Sequence, residues 1–372
     1  MNKHFDVIVI GSGPSGMTAA ARIASLGKSV AVLERNEEFS KKIFATGNGR
    51  CNFSNENALD AKRVIDYCAS IGIVACKEES RFYPRSKEAA SFASALYSAA
   101  EKEGAVLINN FLAKLVQKNE QGFIVESESG DKLSSDNLVI ATGGKAGIQY
   151  GCYGDGFKWA KDFGLEVKKP IPALCGLATK EELSLLHGVR VDARVSLYKN
   201  EELVASDDGE VQFTKDGISG ICVMNLSRFV RYENEEKYTL SIDMYKELSK
   251  EALLNLFKEQ ISKRGNAMEG LVPEKMQSYL LARLGADTNN TLAMAELGKD
   301  LSFEITGSLG WKNAQVTSGG VELDQLDANY QAKKVPGLFF AGEVIDYDGP
   351  CGGYNISWAI KTGLDIGEYF SK

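Results

Sequence analysis

Residues 5–34, FDVIVIGSGPSGMTAAARIASLGKSVAVLE, decide the fold class. Phe5 to Ile10 is a short β-branched run of the kind that fills a buried parallel strand. GSGPSG follows at once, and then MTAAARIASLGK, rich in helix formers, runs to Gly27. SVAVLE is a second strand that closes on Glu34, 18 positions after Gly16. Each part of this β–α–β unit has a physical task. Gly11 permits the tight turn, Gly13 lets a pyrophosphate approach the backbone, and Gly16 lets helix and strand pack closely. Pro14 and Ser15 open the helix, whose N-terminal N–H groups face the phosphates. Glu34 accepts hydrogen bonds from ribose hydroxyls. The unit predicts a dinucleotide site without choosing between FAD and NAD.

The remaining composition narrows the class. The chain has 372 residues, 44% hydrophobic and 25% charged, which suits a soluble protein of two or three domains. Its net charge of −7 disfavours nucleic acid as partner, since phosphate binding wants a basic face. With only His4 and His187, a multi-His metal site or a Ser/His/Asp triad has little material, and no metal is expected. The seven cysteines (Cys51, Cys68, Cys76, Cys152, Cys175, Cys222, Cys351) form no C-x-x-C pair, and read as reduced thiols of a cytoplasmic protein. No run reaches ~18 apolar residues, so no membrane insertion is expected. The apolar N-terminus lacks a signal-peptide cleavage region and is interrupted by glycines. The mixed-charge surface names no oligomeric interface.

Further along, KKIFATGNGRCN (41–52) fits either a solvated basic loop or a backbone wrap around an extended cofactor, with Arg50 offsetting its charge. SRFYPR (80–85) reads as turn-rich, Lys87 to Gly104 as a helix, and Val106 to Val116, Gly122 to Glu128 and Asn137 to Ala141 as strands. The last runs into Ala141-Thr142-Gly143-Gly144, which fits either an ordinary strand-end turn or small residues that let a ligand approach the sheet edge. From Pro170 the pattern changes to alternation: Val189 to Tyr198, a hairpin around Asp208-Gly209, and Lys237 to Tyr245. Lys246 to about Leu301 reads as helices whose charges are interspersed, without the basic stripe of a DNA-reading element. VTSGGV (316–321) reads as strand or turn. LFFA leads to Gly342 and Glu343, and Cys351-Gly352-Gly353-Tyr354-Asn355 opens a last helix. Taken alone it reads as a glycine-rich turn capped by Asn355, and otherwise as backbone set against a flat ring, with a helix N-terminus suited to negative charge on a reduced flavin.

Together, VIVIGSGPSGMTAA, KKIFATGNGRCNFSN, SRFYPRS, LVIATGG, GDGFKWA, VQFTKDGISGICVMNLS, NAQVTSGGV and VPGLFFAGEVIDYDGPCGGYNISWAIKTG resemble one family over nearly the whole chain. It is the bacterial and archaeal FAD-dependent flavoproteins that include the bile-acid pathway Δ4,6-reductase and aminoacetone oxidase. The resemblance implies an α/β fold with a discontinuous FAD-binding Rossmann-like domain (1–170 plus 306–372), an inserted antiparallel β-barrel (171–245) and a small helical domain (246–305). It places the FAD pyrophosphate at Gly11, Gly13 and Gly16, with Pro14 and Ser15 in the same turn, and the adenosine ribose at Glu34, beside Arg35. Lys42, Thr46, Gly49, Arg50, Cys51 and Asn52 would line the flavin and its phosphates. Leu112 would touch adenine through its backbone, and Ala141, Thr142 and Gly143 would border the adenosine and pyrophosphate. Gly342 and Glu343 would meet the ribitol and pyrophosphate, and Gly353, Tyr354, Asn355 and Ile356 the isoalloxazine end. The chain departs from the family pattern at Lys215 and Leu165, where histidines are usual, and at Ile221, where proline is usual. Its 55–81 segment is also roughly thirty residues shorter, a length change that surface segments tolerate.

The chemistry implied is that of an FAD-dependent oxidoreductase, with hydride passing through flavin N5. One dinucleotide fingerprint is visible, so NAD(P)H would act as a transient donor stacked on the ring. Reduction of an activated C=C in a hydrophobic carbonyl compound is the preferred reaction. The alternatives are an oxygen-using amine oxidase and a flavin-binding regulatory or nucleic-acid-associated protein. Tyr354 and Tyr83 are candidate proton donors and Arg50 a candidate electrostatic clamp, so the expected catalytic residues are Tyr354 and Arg50. Cys51 and Cys351 are expected to be small packing residues near the ring.

Overall fold

The computed structural model describes residues 3–231, 236–285 and 290–371. The chain begins with β1 (Lys3–Ile10), α1 (Pro14–Ala24), β2 (Val30–Leu33), an irregular 3₁₀ segment (Lys41–Gly49), β3 (Ser54–Asn55) and α2 (Ala61–Ser70). Then come β4 (Ala75–Glu78), β5 (Arg81–Pro84), α3 (Ala89–Lys102), β6 (Val106–Ile108), β7 (Ala113–Asn119), β8 (Gly122–Ser127), β9 (Lys132–Ile140), α4 (Asp155–Asp162) and β10 (Val167–Ala173). The middle of the chain holds β11 (Leu177–Thr179), β12 (Arg190–Lys199), β13 (Glu202–Phe213), β14 (Ile218–Ser219), α5 (Ile221–Ser227) and β15 (Tyr238–Asp243). It continues with α6 (Lys250–Arg264), α7 (Glu274–Leu284), α8 (Thr291–Lys299) and β16 (Leu301–Ser308). β17 (Val316–Val321), β18 (Leu338–Phe340) and α9 (Tyr354–Tyr369) complete it. Two compact units result, Met1–Ile171 with Val316–Lys372 and Pro172–Gln315.

The first unit is built on a seven-stranded sheet ordered β6-β2-β1-β9-β8-β7, with β18 also paired to β9. Its β6, β2, β1, β9 and β18 run parallel; the apolar runs of β1 and β2 are buried, as the first fifty residues predict, while β6 at the sheet edge is only partly covered. The small sheet β3-β5-β4 stands apart from it. α1 and α9 cross closely because Gly363 and Gly367 carry no side chain. A Cβ on Gly363 would lie 2.6 Å from the Ser15 carbonyl oxygen, and one on Gly367 2.5 Å from Arg22 Cβ. Gly363→Ala should therefore cost about 1–3 kcal/mol through overpacking. Chemical denaturation measures it, and an unchanged midpoint would contradict this packing.

The second unit contains the expected antiparallel insert as a closed barrel, β11-β14-β13-β12-β15-β16. Three details differ from the sequence reading. First, Asp208-Gly209 is no turn. β13 pairs with β12 without a break there, with Asp208 opposite Arg194 and the two ion-paired at 2.8 Å. The chain reverses instead at Asn200 and Glu201, both left-handed (φ 49° and 71°). Second, the sequence predicts a helical domain through residue 305, yet β16 begins at Leu301, and its alternating Leu301, Phe303 and Ile305 face the barrel core and close the barrel. Third, α6, α7 and α8 share that core, so barrel and helices form one unit rather than two. Tyr279 stacks on Phe303 at 6.3 Å, and Phe257 meets Tyr245 at 5.7 Å. Residues 286–289 of the helical segment lie outside the described residues.

Two further differences fall in the first unit. Val106 to Val116 is split into β6 and β7 by a left-handed Asn110 (φ 53°). SRFYPR is a strand rather than a turn, because Arg81 to Pro84 pairs with both β3 and β4. Among the described residues no helix is long and apolar enough to cross a membrane.

Candidate dinucleotide cleft

The cleft begins where β1 ends. A Cβ on Gly11 would lie 2.3 Å from the Ala141 carbonyl oxygen, and one on Gly16 2.0 Å from the Gly11 carbonyl oxygen. Turn, helix and the end of β9 thus touch backbone to backbone. Gly13 differs, since a Cβ there would have nothing within 4 Å. Gly13 is also the N-cap of α1, which has no side-chain cap and no acidic residue in its first turn. Such an end leaves backbone donors for an anion. Open space at Gly13 and uncapped amides beside it are what a pyrophosphate needs.

Glu34 is buried, and four donors hold its carboxylate. Ser12 N (3.2 Å) and Oγ (2.5 Å) donate to Oε2, while Asn36 N (2.8 Å) and Nδ2 (2.7 Å) donate to Oε1. Ser40 completes the lacing by donating N–H to Ser12 Oγ and its hydroxyl to the Ser12 carbonyl. Sequence reasoning missed Ser12, Asn36 and Ser40, although Ser12 lies inside the glycine motif. Glu34→Ala should lower the stability of the FAD-free protein by about 1–3 kcal/mol, as those donors lose their acceptor. Denaturant titration without added FAD checks it, and an effect seen only with FAD present would contradict a tethering role.

Arg35 is committed to protein. It donates to Asp155 Oδ2 (2.6 Å) and the Gly151 carbonyl (3.0 Å), and its guanidinium lies 4.9 Å from the Tyr153 ring centroid. It thereby positions the 145–154 loop beside β2. Lys42 Nζ donates to Glu343 Oε2 (2.7 Å), and Glu343 Oε1 accepts Thr317 N–H (2.9 Å). Burial pulls the Lys42 ammonium down, but the Glu343 carboxylate outweighs it and holds the group above its ordinary range. Gly143 and Gly144 adjoin this pair. A Cβ on Gly143 would lie 3.7 Å from Cys152 Sγ, and one on Gly144 2.9 Å from Glu343 Oε1. Thr142 abuts α4, where a Cβ on Gly156 would lie 2.4 Å from Thr142 Oγ1. The Leu112 carbonyl accepts Glu128 N–H at 2.8 Å. Gly342 N–H donates to Thr362 Oγ1 (2.9 Å), and its carbonyl accepts Trp358 Nε1–H (3.2 Å), two partners that no motif announced.

The 46–55 segment is laced to the start of α9. Thr46 Oγ1 bonds the Ile43 carbonyl, and Gly49 is open, with nothing within 4 Å of a Cβ. Asn52 donates to the carbonyls of Ser54 (2.9 Å) and Phe82 (3.1 Å). Asn55 Nδ2 donates to the Gly352 carbonyl (2.9 Å), and Ser54 and Ser357 share a buried hydroxyl contact (3.0 Å). A Cβ on Gly353 (φ 95°) would lie 2.3 Å from the Ser54 carbonyl oxygen. Asn355 clamps Gly349, accepting its N–H (2.8 Å) and donating to its carbonyl (2.9 Å), so its side chain is taken. Ile356 is half-buried against the core. The Tyr354 hydroxyl has no hydrogen-bond partner among the described residues.

Two expectations change here. The Arg50 guanidinium is already neutralised by Glu78 (2.6 Å) and lies over Tyr83 (4.5 Å), so it is not a free clamp. Tyr83 is buried beneath it and is no longer a proton donor of choice. Cys51 is a buried left-handed residue (φ 55°) whose thiol burial pushes up to about 12, opposed by a hydrogen bond with Thr46. Among the cysteines only Cys76 and Cys351 are even half-exposed. A thiol-specific disulfide reagent at about pH 8 should label at most these two in the native protein and all seven after denaturation. Rapid native labelling of Cys51 would contradict this environment.

A protein-family model described as the HI0933-like protein Rossmann domain matches residues 5–70 and 57–369. The 3-dehydro-bile acid delta(4,6)-reductase of Clostridium scindens is 30% identical over 97% of both chains. The ribosomal RNA dihydrouridine synthase of Escherichia coli is 28% identical over 96% of both. Among solved structures, the 3-ketosteroid-Δ4-(5α)-dehydrogenase of Rhodococcus jostii aligns with a TM-score of 0.52 at 16% identity. That alignment covers 100% of this chain and 97% of the other, and so shares the fold.

Proposed function

The chain belongs to the HI0933-like Rossmann-domain family and is an FAD-dependent oxidoreductase, and from that premise we propose that it saturates a C=C bond conjugated to a carbonyl group. The preferred substrate is a hydrophobic carbonyl compound, with NAD(P)H as transient donor. The observation that carries this reading is the chemistry shared by two relatives that match over nearly their full length. One is named for reducing Δ4,6 unsaturation beside a 3-oxo group, and the other for converting uridine to its dihydro form. In both, the bond that gains hydrogen is conjugated to a carbonyl.

The residues present fit FAD. Gly11, Gly13 and Gly16 with the uncapped start of α1 would hold the pyrophosphate, and Glu34 the ribose. Lys42 and Glu343 would meet the ribitol and phosphates, and Gly353 to Ile356 the ring end. Bound FAD supplies a two-electron carrier able to give or take hydride at N5. The protein adds orientation and one proton, for which the unpartnered Tyr354 hydroxyl is the donor. Tyr354→Phe should then slow double-bond reduction about 100-fold while leaving flavin reduction by the nucleotide intact. Equal slowing of both half-reactions would remove Tyr354 from that role.

The test is anaerobic and in two steps. NADH or NADPH should bleach the flavin band at about 450 nm, and 4-androstene-3,17-dione should then restore it. Restoration only by uridine-containing RNA would replace the substrate class with that of the Escherichia coli relative. The net charge of −7 weighs against that second reading, because RNA affinity rests on phosphate neutralisation. Bleaching by an amine, with neither nucleotide effective, would overturn the proposal.

A further inference from the structure

Arg81 opens β5, opposite Asn55 of β3 and Glu78 of β4. Residues two apart on a strand share a face, so Arg81 and Tyr83 point the same way. Tyr83 is covered by Arg50, and the Glu78 carboxylate is divided between Arg50 and Lys87, one oxygen to each. Arg81 is half-buried, yet among the described residues its side chain has no ion pair and no hydrogen bond. Its Nε lies 3.5 Å from where a Cβ on Gly352 would stand, next to Asn55 Nδ2 at 3.6 Å. Gly352 has φ +119°, so the chain holds the guanidinium against a turn that disfavours any side chain. A half-buried guanidinium with no counter-charge is costly unless it meets an anion.

We propose that Arg81, and not Arg50, is the cation that serves the isoalloxazine end of FAD, where it stabilises the negative charge of the reduced ring. The proposal rests on the reading above that Gly353 to Ile356 contact that ring. Arg81 is adjacent to their turn and uncommitted. Arg50 is on the same small sheet and already neutralised. A fixed positive charge there favours the reduced cofactor without forming or breaking any bond.

The experiment is the two-electron midpoint potential of the purified holoenzyme, measured by anaerobic equilibration with a reference dye. Arg81→Gln should shift the reduction equilibrium at least tenfold toward oxidised flavin, about 30 mV more negative for two electrons. Arg81→Lys should stay within about threefold of wild type, because it keeps the charge, and Arg50→Gln should also stay within about threefold. FAD content and melting curve, recorded for each variant, identify folded holoenzyme. The assignment is overturned if Arg81→Gln keeps the wild-type potential, if Arg81→Lys shifts as far as Arg81→Gln, or if Arg50→Gln produces the shift. If the wild type cannot be loaded with FAD, the cofactor reading itself fails. If it loads FAD and reduces an enone while Arg81→Gln keeps the wild-type potential, only the Arg81 assignment falls.

Discussion

Gly13→Val is expected to yield a protein that folds like the wild type and does not hold FAD. The N-cap Gly13 has φ −65° and ψ 177°, an ordinary extended conformation, and a Cβ there meets nothing within 4 Å. Neither strain nor clash threatens the apo fold. The added isopropyl group would fill the space through which a pyrophosphate reaches the first-turn amides of α1. FAD affinity should fall at least about 100-fold, equivalent to about 2.8 kcal/mol. Gly16→Val provides the contrast. Its Cβ would stand 2.0 Å from the Gly11 carbonyl oxygen, so α1 would have to leave β1. That variant should lose more than about 4 kcal/mol or fail to accumulate as soluble protein. Circular dichroism melting and fluorescence titration with FAD separate the two. Unimpaired FAD binding by Gly13→Val would contradict a phosphate-facing role for that glycine.

Lys42→Met is the second large effect. Lys42 and Glu343 are 27% and 20% exposed at the side chain and 2.7 Å apart. Removing one partner of a fully buried pair costs about 3–5 kcal/mol, and partial exposure brings the expected loss here to about 2 kcal/mol. Most of that loss is the penalty on the abandoned Glu343, so Lys42→Met combined with Glu343→Gln should regain over half of the stability while binding FAD poorly. The pH dependence follows from the raised Lys42 ammonium. Its contribution is complete below the ordinary lysine value of 10.5 and fades only as pH rises through the higher folded-state value. The cost of Lys42→Met should therefore be the same at about pH 6 and about pH 9. A cost that shrinks between them would show that the ammonium titrates lower than this environment allows.

The β–α–β unit was legible because Gly11 and Gly16 answer steric demands of the fold that no other residue meets. Gly11 and Gly16 touch backbone oxygens in the structure, as their spacing implies. The barrel was legible through alternation, which survives in β12, β13 and β15. Errors arose where a tertiary contact overrode a local signal. Asp208-Gly209 looks like a turn until Arg194 pairs with Asp208 across the ladder. SRFYPR looks irregular until β3 and β4 pair with it. Arg50 sits in the most distinctive loop of the chain, yet its charge is spent on Glu78, 28 residues away. Nothing local to either residue reveals that partnership. Arg81 lies in SRFYPRS, one of the stretches that carry the resemblance, yet that motif assigns it no role. Its signal was the two-residue spacing from Tyr83, which has meaning only once the segment is known to be a strand.

The central physical claim is that Gly11 to Gly16, Glu34, the Lys42–Glu343 pair and the start of α9 together hold FAD. The most direct test is the visible spectrum of the protein purified without added cofactor, with the flavin released by denaturation and identified by chromatography. The prediction is a yellow protein carrying about one FAD per chain, or a colourless one that regains that ratio on dialysis against FAD. A folded protein that neither carries FAD nor takes it up would contradict the claim.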